Sequence, residues 1–578
     1  MHDSRARPVR GAQPLIRLND FGAVTPPVLG AWTPSRTVSV VVPVHRSRTL
    51  PLTLASLAAQ SYPSHLMEVV VVDDGAEPPL PLPEIVPERT RLVRSRPGGW
   101  GRAWACQSGA DVAEGEVIHW LDADMVLFRE QVEAQMRWHH LADYLTVLGT
   151  FKMVATWDPG LTPAEVHAAV SAGTTEKLFE DASPEDADGA GSAGDAGNTE
   201  SNVTDTWTSE YIERTAGLRE ARFEAFKVHV GASASLPASL LRRAGGMDTS
   251  LVLAEDTELG YRLAQAGAVF VADRESRSRH LGASTVMRRE QEVKRHNWVF
   301  LANRVPTFRW LRKPPVRQWA VPYVEVVVEV GEASYEQVRA TVDGFLRGAV
   351  ADVRIAIAGP WSALRDGRRA PLDDPTVDLR LVHELYTHER RVELVESVAE
   401  SAFPAPFRFV CPPGWVAAAD CLTRLVRLAD DNGYGLVSLA LAERSDAGAD
   451  GVVAARLERT AAFGRAGLLA ERGGGPELED LVEATFGTQW LDGETWGLLP
   501  MDRAEEKKPA KASTKASTKA STKAKRRKRK TTRLRAVLAR TPARGLYRFL
   551  SRAARKALTV AGVRRSRHSR SRGGSRPG

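Results

Sequence analysis

Two aspartates spaced one residue apart are the first candidates for chemistry in this chain. Asp122 and Asp124 directly follow the apolar segment 116–121, which predicts a buried strand. A carboxylate at the end of a buried strand is costly unless a cation meets it. Two carboxylates at this spacing offer the oxygen ligands that Mg²⁺ and Mn²⁺ prefer. The pattern predicts a divalent-metal site, although an acidic loop can contain such a pair by chance.

Polar residues also follow two other predicted strands. Residues 37–43 form a β-branched run that leads into His45-Arg46, and residues 67–72 lead into Asp73-Asp74-Gly75. Helical patterns lie between the strands, at residues 50–60 and 100–113. Apolar strands separated by helices predict a parallel sheet that is covered on both faces, and such sheets bind ligands at the carboxyl ends of their strands. We therefore expect an α/β fold with one active site at that edge.

Length and cysteine content limit the class of protein. A chain of 578 residues predicts two or three domains. Cys106, Cys411 and Cys421 fit neither a disulfide framework nor a zinc motif, which favours a reducing, cytoplasmic compartment. The irregular lead-in at residues 1–36 lacks the apolar core of a signal peptide, and no run of 18 apolar residues predicts a transmembrane helix.

The net charge of +8 conceals an asymmetry along the chain. Residues 501–578 contain 27 Lys and Arg against 3 Asp and Glu, which leaves 52 basic and 68 acidic residues in 1–500. The body is therefore acidic and the tail strongly basic. The overall charge says nothing about the partners of the body.

The tail combines a polycation with a predicted helix. Lys511-Ala512-Ser513-Thr514 is the first of three such repeats, a basic run follows at 525–530, and an amphipathic helix is predicted at about 543–562. We expect residues 511–562 to bind an anionic membrane surface, which would make the protein peripheral on the inner face of the plasma membrane. The helix could instead pack on the body, or the tail could bind polyphosphate or nucleic acid non-specifically. No aromatic residues interrupt the polycation, so specific nucleic-acid binding is not expected.

Composition and patterning divide the body into two domains. The first is predicted at residues 37–315 and contains a polar segment at 181–206 that is expected to be a mobile insertion. The second, at 318–500, repeats the strand and helix pattern of the first, but no carboxylates occupy the carboxyl ends of its matching strands at 352–359 and 407–415. It could be a degenerate copy of the first domain or an unrelated α/β domain.

Six motifs in the first half of the chain resemble family 2 glycosyltransferases with the GT-A fold, of an actinobacterial type with a C-terminal extension. The motifs are, in chain order, Val38-Ser39-Val40-Val41-Val42-Pro43, Gln60-Ser61-Tyr62-Pro63, Val71-Val72-Asp73-Asp74-Gly75, Leu121-Asp122-Ala123-Asp124, Gly245-Gly246-Met247-Asp248 and Glu255-Asp256-Thr257-Glu258-Leu259-Gly260-Tyr261-Arg262-Leu263. Each motif is weak by itself, whereas six in the expected order are specific. The resemblance covers about residues 37–300 and implies a Rossmann-like, mostly parallel sheet that binds a nucleotide-diphospho-sugar.

The resemblance implies a set of donor-binding residues. Asp74 would bind the base of the donor, which favours uracil and hence a UDP-sugar. Asp73 would support the same turn, while Pro43 and His45 would line the nucleotide. The residue-level alternative for the aspartate pair is a turn former before a glycine. Asn297-Trp298 could also line the donor pocket.

The resemblance also implies a metal site for Mn²⁺ or Mg²⁺. Asp124 would bind the ion directly, and Asp122 would bind the ribose or reach the ion through water. His280 could supply a third ligand or could be structural. Where the family often has Ala-Arg-Asn, this chain has Ala105-Cys106-Gln107. Arg102, one helical turn earlier, could replace that arginine at the phosphates or could face solvent.

Two further carboxylates complete the expected site. The resemblance makes Asp256 the catalytic base, which would take a proton from the acceptor hydroxyl in a single displacement that inverts the anomeric centre. Glu255 would help to position the acceptor. Both also suit the acidic start of a helix at 257–265. The implied acceptor is a cell-surface glycan, a lipid-linked precursor or a secondary metabolite. No Gln-x-x-Arg-Trp motif follows Asp256, which disfavours a processive polymer synthase.

Three other functions compete with transfer. A non-catalytic sugar-nucleotide-binding scaffold would share the fold, but it has no use for Asp256. A nucleic-acid-binding protein would rest on the tail alone. A nucleotidyltransferase would need a glycine-rich loop after the first strand, where this chain has His45-Arg46-Ser47-Arg48.

Overall fold

The computed structural model describes residues 13–180, 202–313, 317–444, 451–471 and 476–506. Within these ranges it contains two α/β units, each with its own central sheet. No helix in the described part of the chain is both long enough and apolar enough to cross a membrane. The predicted tail segment 511–562 and most of the predicted insertion at 181–206 lie outside the described residues.

The first unit is built on nine strands. They are β1 Val38–Val44, β2 Met67–Asp73, β3 Thr90–Arg94, β4 Val117–Leu121, β5 Met125–Leu127, β6 Leu145–Val154, β7 Val203–Thr204, β8 Ser233–Pro237 and β9 Val269–Leu281. Its helices are α1 Leu50–Ala58, α2 Arg102–Val112, α3 Gln131–His139, α4 Pro163–Ser171, α5 Lys177–Glu180, α6 Trp207–Arg214, α7 Ala238–Arg243, α8 Glu255–Gln265, α9 Thr285–Arg288 and α10 Glu290–Arg304.

The sheet of this unit is mostly parallel, as predicted. Its strand order is β3-β2-β1-β4-β8-β6-β9-β5, with β7 paired to β6. Strands β1 to β4 run parallel, β8 runs antiparallel between β4 and β6, and β9 is parallel to β6. Every residue of β2 and β4 is buried, so both faces of the sheet are covered. This is the arrangement expected of apolar parallel strands, and it confirms the α/β class.

The predicted lead-in is irregular but closely packed from Gln13 onward. Ile16 and Phe21 are buried, and Phe21 meets Trp138 edge to face. The buried Asn19 side chain donates to the Leu218 and Phe270 carbonyls and accepts from the Phe270 amide. This segment is therefore part of the first core.

The described end of the predicted insertion is ordered. Strand β7 pairs antiparallel with β6, and the Asn202 amide donates to the carbonyls of Thr156 and Phe179. Val203 and Thr204 therefore belong to the sheet, because strand pairing satisfies their backbone groups.

The second unit contains nine strands and six helices. The strands are β10 Val324–Glu329, β11 Val353–Ala358, β12 Val392–Val395, β13 Phe407–Val410, β14 Trp415–Ala417, β15 Leu436–Arg444, β16 Gly451–Arg459, β17 Thr488–Asp492 and β18 Leu498–Pro500. The helices are α11 Tyr335–Leu346, α12 Val377–Tyr386, α13 Cys421–Asn432, α14 Thr460–Ala470, α15 Leu478–Thr485 and α16 Met501–Glu506.

The two sheets have matching strand orders. The second sheet follows β12-β11-β10-β13-β16-β15-β17, which corresponds step by step to β3-β2-β1-β4-β8-β6-β9 in the first. Pair directions agree as well, and the antiparallel pair β14–β18 corresponds to β5–β9. This agreement is the structural observation that favours a repeated unit over an unrelated α/β domain.

The two units pack against each other through α8 and α14. Arg465 on α14 donates to the carbonyls of Gly267 and Ala268 just after α8. The Tyr261 hydroxyl on α8 donates to the Pro404 carbonyl at 2.6 Å. The second unit thus contacts the helix whose first two residues are Glu255 and Asp256.

Candidate functional site

The predicted strand ends meet at one edge of the first sheet. A cavity of 270 Å³ lies there. Its lining consists of Pro43, Val44, His45, Ser47, Asp74, Arg102, Ala105, Asp122, Ala123 and Asp124. A larger cavity of 740 Å³ opens near the amino end of β4, next to Gly115 and Arg242, and none of the predicted site residues line it.

The Asp122-Ala123-Asp124 turn is held by two neighbouring segments of the chain. The hydroxyls of Ser47 and Thr49 donate to the Ala123 carbonyl at 3.2 and 2.9 Å. On the other side the Leu281 amide at the end of β9 donates to the Asp124 carbonyl at 2.8 Å. Because both flanks of the turn are fixed by backbone contacts, the two carboxylates have defined positions.

The structure brings Asp122 and Asp124 together with His280. One potential ligand atom from each of the three side chains lies within 4.8 Å of the others, and His280 Nε2 lies 3.5 Å from Asp124 Oδ1. The pairing of Met125 with His280 across β5 and β9 explains this proximity. An aspartate pair and a histidine distant from it in sequence therefore form one cluster of two carboxylates and an imidazole.

The chemistry of this cluster fits a divalent cation. Asp124 Oδ1 is a buried oxygen that has no hydrogen-bond partner among the described residues. His280 Nδ1 lies 3.2 Å from the Gly282 carbonyl, and donation to that carbonyl would leave Nε2 as a lone-pair donor toward Asp124. Burial and the charge of Asp122 raise the pKa of Asp124, while His280 opposes the rise. A bound cation would relieve this cost.

The two aspartates after β2 have different positions. Asp73 is buried, and its Oδ1 accepts from the Ala76 amide at 2.8 Å within the turn that follows β2. Asp74 lines the cavity and accepts from Ser95 Oγ and the Gly101 amide, each at 2.8 Å. His45 Nδ1 lies 3.1 Å from the Asp74 carbonyl. Pro43, His45 and Asp74 therefore form one wall of the cavity.

Arg102 joins the metal cluster to the acidic start of α8. Its Nε and Nη2 lie 3.0 and 2.9 Å from Asp122 Oδ1, and its Nη1 lies 3.1 Å from Glu255 Oε1. Nη2 also donates to the Gly231 carbonyl at 2.7 Å. The alternative of a solvent-facing arginine is therefore wrong, because α2 begins with its first side chain directed into the site.

Glu255 and Asp256 occupy the first turn of α8 with unequal exposure. Glu255 is buried against Arg102, whereas Asp256 is half-buried. Asp256 Oδ1 accepts from the Thr257 amide at 2.7 Å, and Oδ2 lies 3.4 Å from the Gly231 amide. Ala254, which precedes the helix, has a φ of 69°. This left-handed turn starts the helix directly at the site.

The pKa values of Glu255 and Arg102 are both shifted by burial and by the charges around them. Burial and the neighbouring Asp256 charge raise the pKa of Glu255 to about 7, against the opposing effect of Arg102. Burial lowers the pKa of Arg102, but Asp122 and Glu255 outweigh that effect and raise it well above its usual value. Arg102 is thus a permanent cation, while Glu255 can hold or release a proton near neutral pH.

The structure adds residues that the sequence did not single out. The buried His229 ring contacts the Asp256 carbonyl through Nδ1 at 2.8 Å, and Gly231 contacts both Arg102 and Asp256. A lone histidine and glycine in the apolar segment before β8 give no sequence signal. The predicted pocket residue Trp298 lies instead on an exposed face of α10 and is not among the residues that line the cavity.

The first half of this unit matches a known protein family. Residues 39–158 match the model of glycosyl transferase family 2. This range contains β1, β2, β4 and the Asp122-Ala123-Asp124 turn.

One curated relative is named validoxylamine A glucosyltransferase and comes from Streptomyces hygroscopicus subsp. limoneus. It is 28% identical over 273 residues, which is 45% of this chain and 55% of the relative. The chain therefore spans about half the length of this relative.

Solved glycosyltransferase structures also resemble this chain. The mannosyltransferase PcManGT from Pyrobaculum calidifontis, in complex with GDP-Man and Mn²⁺, is 18% identical with a TM-score of 0.31 over 47% of this chain and 64% of its own. GalNAc-T7 with UDP, GalNAc and Mn²⁺ is 16% identical with a TM-score of 0.29 over 47% of this chain and 52% of its own.

Proposed function

We propose that this chain, which contains a family 2 glycosyltransferase domain, is a metal-dependent inverting glycosyltransferase. Residues 37–315 would form the catalytic domain and residues 318–500 an accompanying domain. The donor would be a nucleotide-sugar, with a UDP-sugar as the first candidate. The acceptor would offer a hydroxyl on a cell-surface glycan, a lipid-linked precursor or a secondary metabolite.

One observation supports this proposal above the others. A single guanidinium, that of Arg102, contacts both Asp122 in the metal cluster and Glu255 at the start of α8. The donor-side and acceptor-side carboxylates are therefore separated by one side chain. Transfer requires this arrangement, because donor and acceptor must be held in contact within one site. A scaffold that only binds a sugar-nucleotide has no need for the second group of carboxylates.

Asp256 is the side chain best placed to act as the base. It is more accessible than Glu255, and the Thr257 amide holds one of its oxygens. Asp256 would accept the proton of the acceptor hydroxyl while that oxygen bonds to the anomeric carbon. The bond from the anomeric carbon to the diphosphate breaks, and its electron pair leaves with the nucleoside diphosphate. Because the attack and departure occur on opposite faces, the anomeric centre inverts.

The leaving diphosphate needs positive charge on the side of the anomeric carbon opposite to the acceptor. Asp124, Asp122 and His280 would hold a Mn²⁺ or Mg²⁺ ion, which when bound supplies a Lewis acid for phosphate oxygens. Arg102 supplies a second, fixed cation in the same cavity. Asp74, His45 and Pro43 would bind the nucleoside end along the cavity wall.

The acceptor class has two sources of support. The Streptomyces relative is named as a validoxylamine A glucosyltransferase, which supports an acceptor of that kind. The basic tail instead suits a membrane-apposed, lipid-linked acceptor on the inner face of the plasma membrane. A full-length protein that floats with anionic vesicles, compared with a chain ending at Arg503 that does not, would support the membrane location.

A donor screen tests the reaction class. Purified protein is mixed with UDP-, GDP- and dTDP-sugars in the presence of Mn²⁺ or EDTA, and slow donor hydrolysis and thermal shift are recorded. We expect one nucleotide to be released in Mn²⁺, no release in EDTA, and no release by Asp124→Ala. The exposed Asp420→Ala variant in the second unit is the matched control and should retain full turnover.

The possible results separate the competing functions. Metal-dependent release of one nucleotide supports a glycosyltransferase and identifies its donor. Metal-dependent binding without any turnover, even with candidate acceptors, would favour the sugar-nucleotide-binding scaffold. Equal turnover by Asp124→Ala and the wild type would contradict the assignment of the metal site.

A further inference from the structure

A group of exposed apolar side chains follows the end of β9. Of the 17 large apolar residues that are exposed in the described part of the chain, five lie within residues 286–310 and are 44 to 65% exposed. They are Val286, Met287, Trp298, Val299 and Trp310. Single exposed apolar residues are ordinary, but a group that includes two tryptophans is not.

One ring contact and the continuity of α9 with α10 link these side chains. Trp298 on α10 meets Trp310 edge to face, with ring centroids 5.3 Å apart. Helix α10 also contacts α9, which contains Val286 and Met287. We call this the aromatic–basic surface, defined by the five apolar residues above and the exposed cations Arg288, Arg289, Arg295, Arg309 and Lys313.

The fold does not need the outer apolar face of α10. Val293, Leu301 and Ala302 are buried and attach the helix to the body. Trp298 lies at helical spacing from Leu301 and Ala302, yet it is 44% exposed. Val299 is 65% exposed and lies four residues after the exposed Arg295. The contacts that anchor α10 therefore leave these side chains uncovered and available to a partner.

The charge of this segment is opposite to that of the body. Residues 285–313 contain eight Lys and Arg against two Asp and Glu, whereas residues 1–500 contain 52 basic and 68 acidic residues. Both acidic residues of the segment are already paired, Glu290 with Lys294 and Glu292 with Arg289. Acidic residues elsewhere pair with three more of these cations, Arg309 and Arg312 with Asp352 and Arg304 with Asp248. The surface therefore presents tryptophan rings beside the positive charges of Arg288, Arg295 and Lys313.

The surface also adjoins the candidate site. His280 of the metal cluster lies five residues before α9, on the strand that leads into it. At the other end of α10, Arg304 Nε lies 2.6 Å from Asp248 Oδ2. Asp248 belongs to the glycine-rich motif that precedes α8. Anything bound to the aromatic–basic surface would lie beside the site.

We propose that the aromatic–basic surface docks on an anionic lipid bilayer, independently of the basic tail. Trp298, Trp310 and Met287 would enter the headgroup–acyl boundary, while the surrounding arginines and lysine contact lipid phosphates. A second copy of this chain is a poorer occupant, since a two-fold contact would bring the same positive charges together. The chain's own tail is basic too and is repelled from it.

This proposal adds a partner to the proposed function and does not depend on it. Docking at this surface would bring the membrane next to the acceptor side of the site, which suits a lipid-linked acceptor rather than a free metabolite. Vesicle binding is measured without any nucleotide-sugar. A failed donor screen therefore leaves the result intact, and a failed vesicle experiment leaves the donor assignment intact.

The first experiment is flotation of the full chain with vesicles of equimolar phosphatidylcholine and phosphatidylglycerol at high salt. Salt screens the electrostatic attraction of the tail, whereas apolar insertion persists. We expect Trp298→Asp/Trp310→Asp to weaken binding by about tenfold or more. The matched control, Leu381→Asp/Leu385→Asp, places the same charges at two exposed leucines on α12 and should bind like the wild type.

A second measurement does not depend on the folding of the aspartate variant. Brominated phosphatidylglycerol quenches tryptophans that enter the bilayer, so the wild type should lose more fluorescence than Trp298→Phe/Trp310→Phe. Equal quenching of the two proteins would overturn the proposal, as would unchanged flotation of the aspartate variant. Binding that disappears only when the chain ends at Arg503 would assign the membrane contact to the tail alone. Self-association that Trp298→Asp abolishes would assign the surface to a second copy.

Discussion

Arg102 contacts both groups of carboxylates in the candidate site, Asp122 on one side and Glu255 on the other. Its planar guanidinium serves Asp122, Glu255 and the Gly231 carbonyl at once, which a lysine ammonium at the same position could not do with equal geometry. These contacts place a cation one helical turn before Cys106 on α2.

The assignment of the base leads to a prediction at Asp256. Asp256→Asn keeps the shape of the side chain but removes its ability to accept a proton, so we expect the transfer rate to fall by about 10²- to 10⁴-fold. Donor binding in Mn²⁺ should change little, because Asp256 lies on the acceptor side of Arg102. Single-turnover kinetics and nucleotide titration separate these two effects.

The exposed Glu213→Gln variant on α6 provides the control for Asp256→Asn and should leave both quantities unchanged. An Asp256→Asn protein that transfers sugar at the wild-type rate would show that another group, with Glu255 as the nearest candidate, takes the proton.

The raised pKa of Glu255 predicts that the stability of the protein depends on pH. Its folded-state pKa of about 7 lies above the value of about 4.3 expected for the unfolded chain. The folded protein therefore binds more protons between these values, so its free energy of unfolding falls as the pH rises through this window. Above about pH 7 this contribution stays constant.

Replacing Glu255 with a side chain that does not titrate should remove this pH-dependent loss of stability. Relative to the wild type, Glu255→Gln should gain up to about 3 kcal/mol as the pH rises from 5 to 7.5, measured by urea unfolding in EDTA. Glu213→Gln should show a difference that does not vary with pH. A flat difference for Glu255→Gln as well would mean that Arg102 keeps this carboxylate ionised throughout.

At the scale of elements, α8 links the site to the second unit. Its first turn contains Glu255 and Asp256, and its end is held by Arg465 of α14. The Arg465 guanidinium also donates to the carbonyls of Ile16 and Leu18 in the lead-in. Burial lowers the pKa of Arg465 to about 10, so it remains charged at neutral pH. One buried cation thus satisfies carbonyls in two parts of the chain, residues 16–18 and 267–268.

Arg465 should therefore be costly to replace. Arg465→Met leaves four buried carbonyls without this donor, and we expect the free energy of unfolding to fall by about 3–5 kcal/mol. The control is Arg243→Met, which removes a pair with Glu471 that is largely exposed to solvent and should cost less than about 1 kcal/mol. Equal costs for the two variants would contradict this account of the interface.

At the scale of the whole molecule, two matching sheets differ at the positions that could do chemistry. Val38 and Val324 have equivalent partners, Val117 and Phe407, on the neighbouring strand. Counting forward from those partners, Asp122 and Asp124 correspond to Pro412 and Gly414. His280 pairs with Met125, and at the equivalent position Pro500 pairs with Trp415. All three positions of the metal cluster therefore have non-ligating residues in the second unit.

This difference predicts the binding stoichiometry. Titration calorimetry of the full chain with Mn²⁺ and the donor nucleotide should give one site per chain, and Asp124→Ala should abolish it. Asp420→Ala, on the second unit, should leave it unchanged. A stoichiometry of two would show that the second unit has a site that its strand ends do not reveal.

Local sequence determined most elements of both units. The predicted helix at 50–60 coincides with α1 and the predicted strand at 116–121 with β4, because a helical period and a continuous apolar run each restrict the backbone within a few residues. In the second unit, the segments 352–359 and 407–415 contain β11 and β13. The polar strand ends also predicted which edge of the first sheet would hold the site. Parallel strands alone bring such ends together.

Tertiary structure decided which distant side chains meet. His280 joins Asp124 because β9 pairs with β5, and Arg102 reaches Glu255 because α2 and α8 begin at the same edge. Strand pairing over long sequence separations leaves no local periodicity, so neither contact could be predicted from spacing. The types of residue at the site are thus a property of the sequence, whereas their partners, burial and protonation depend on the packed fold.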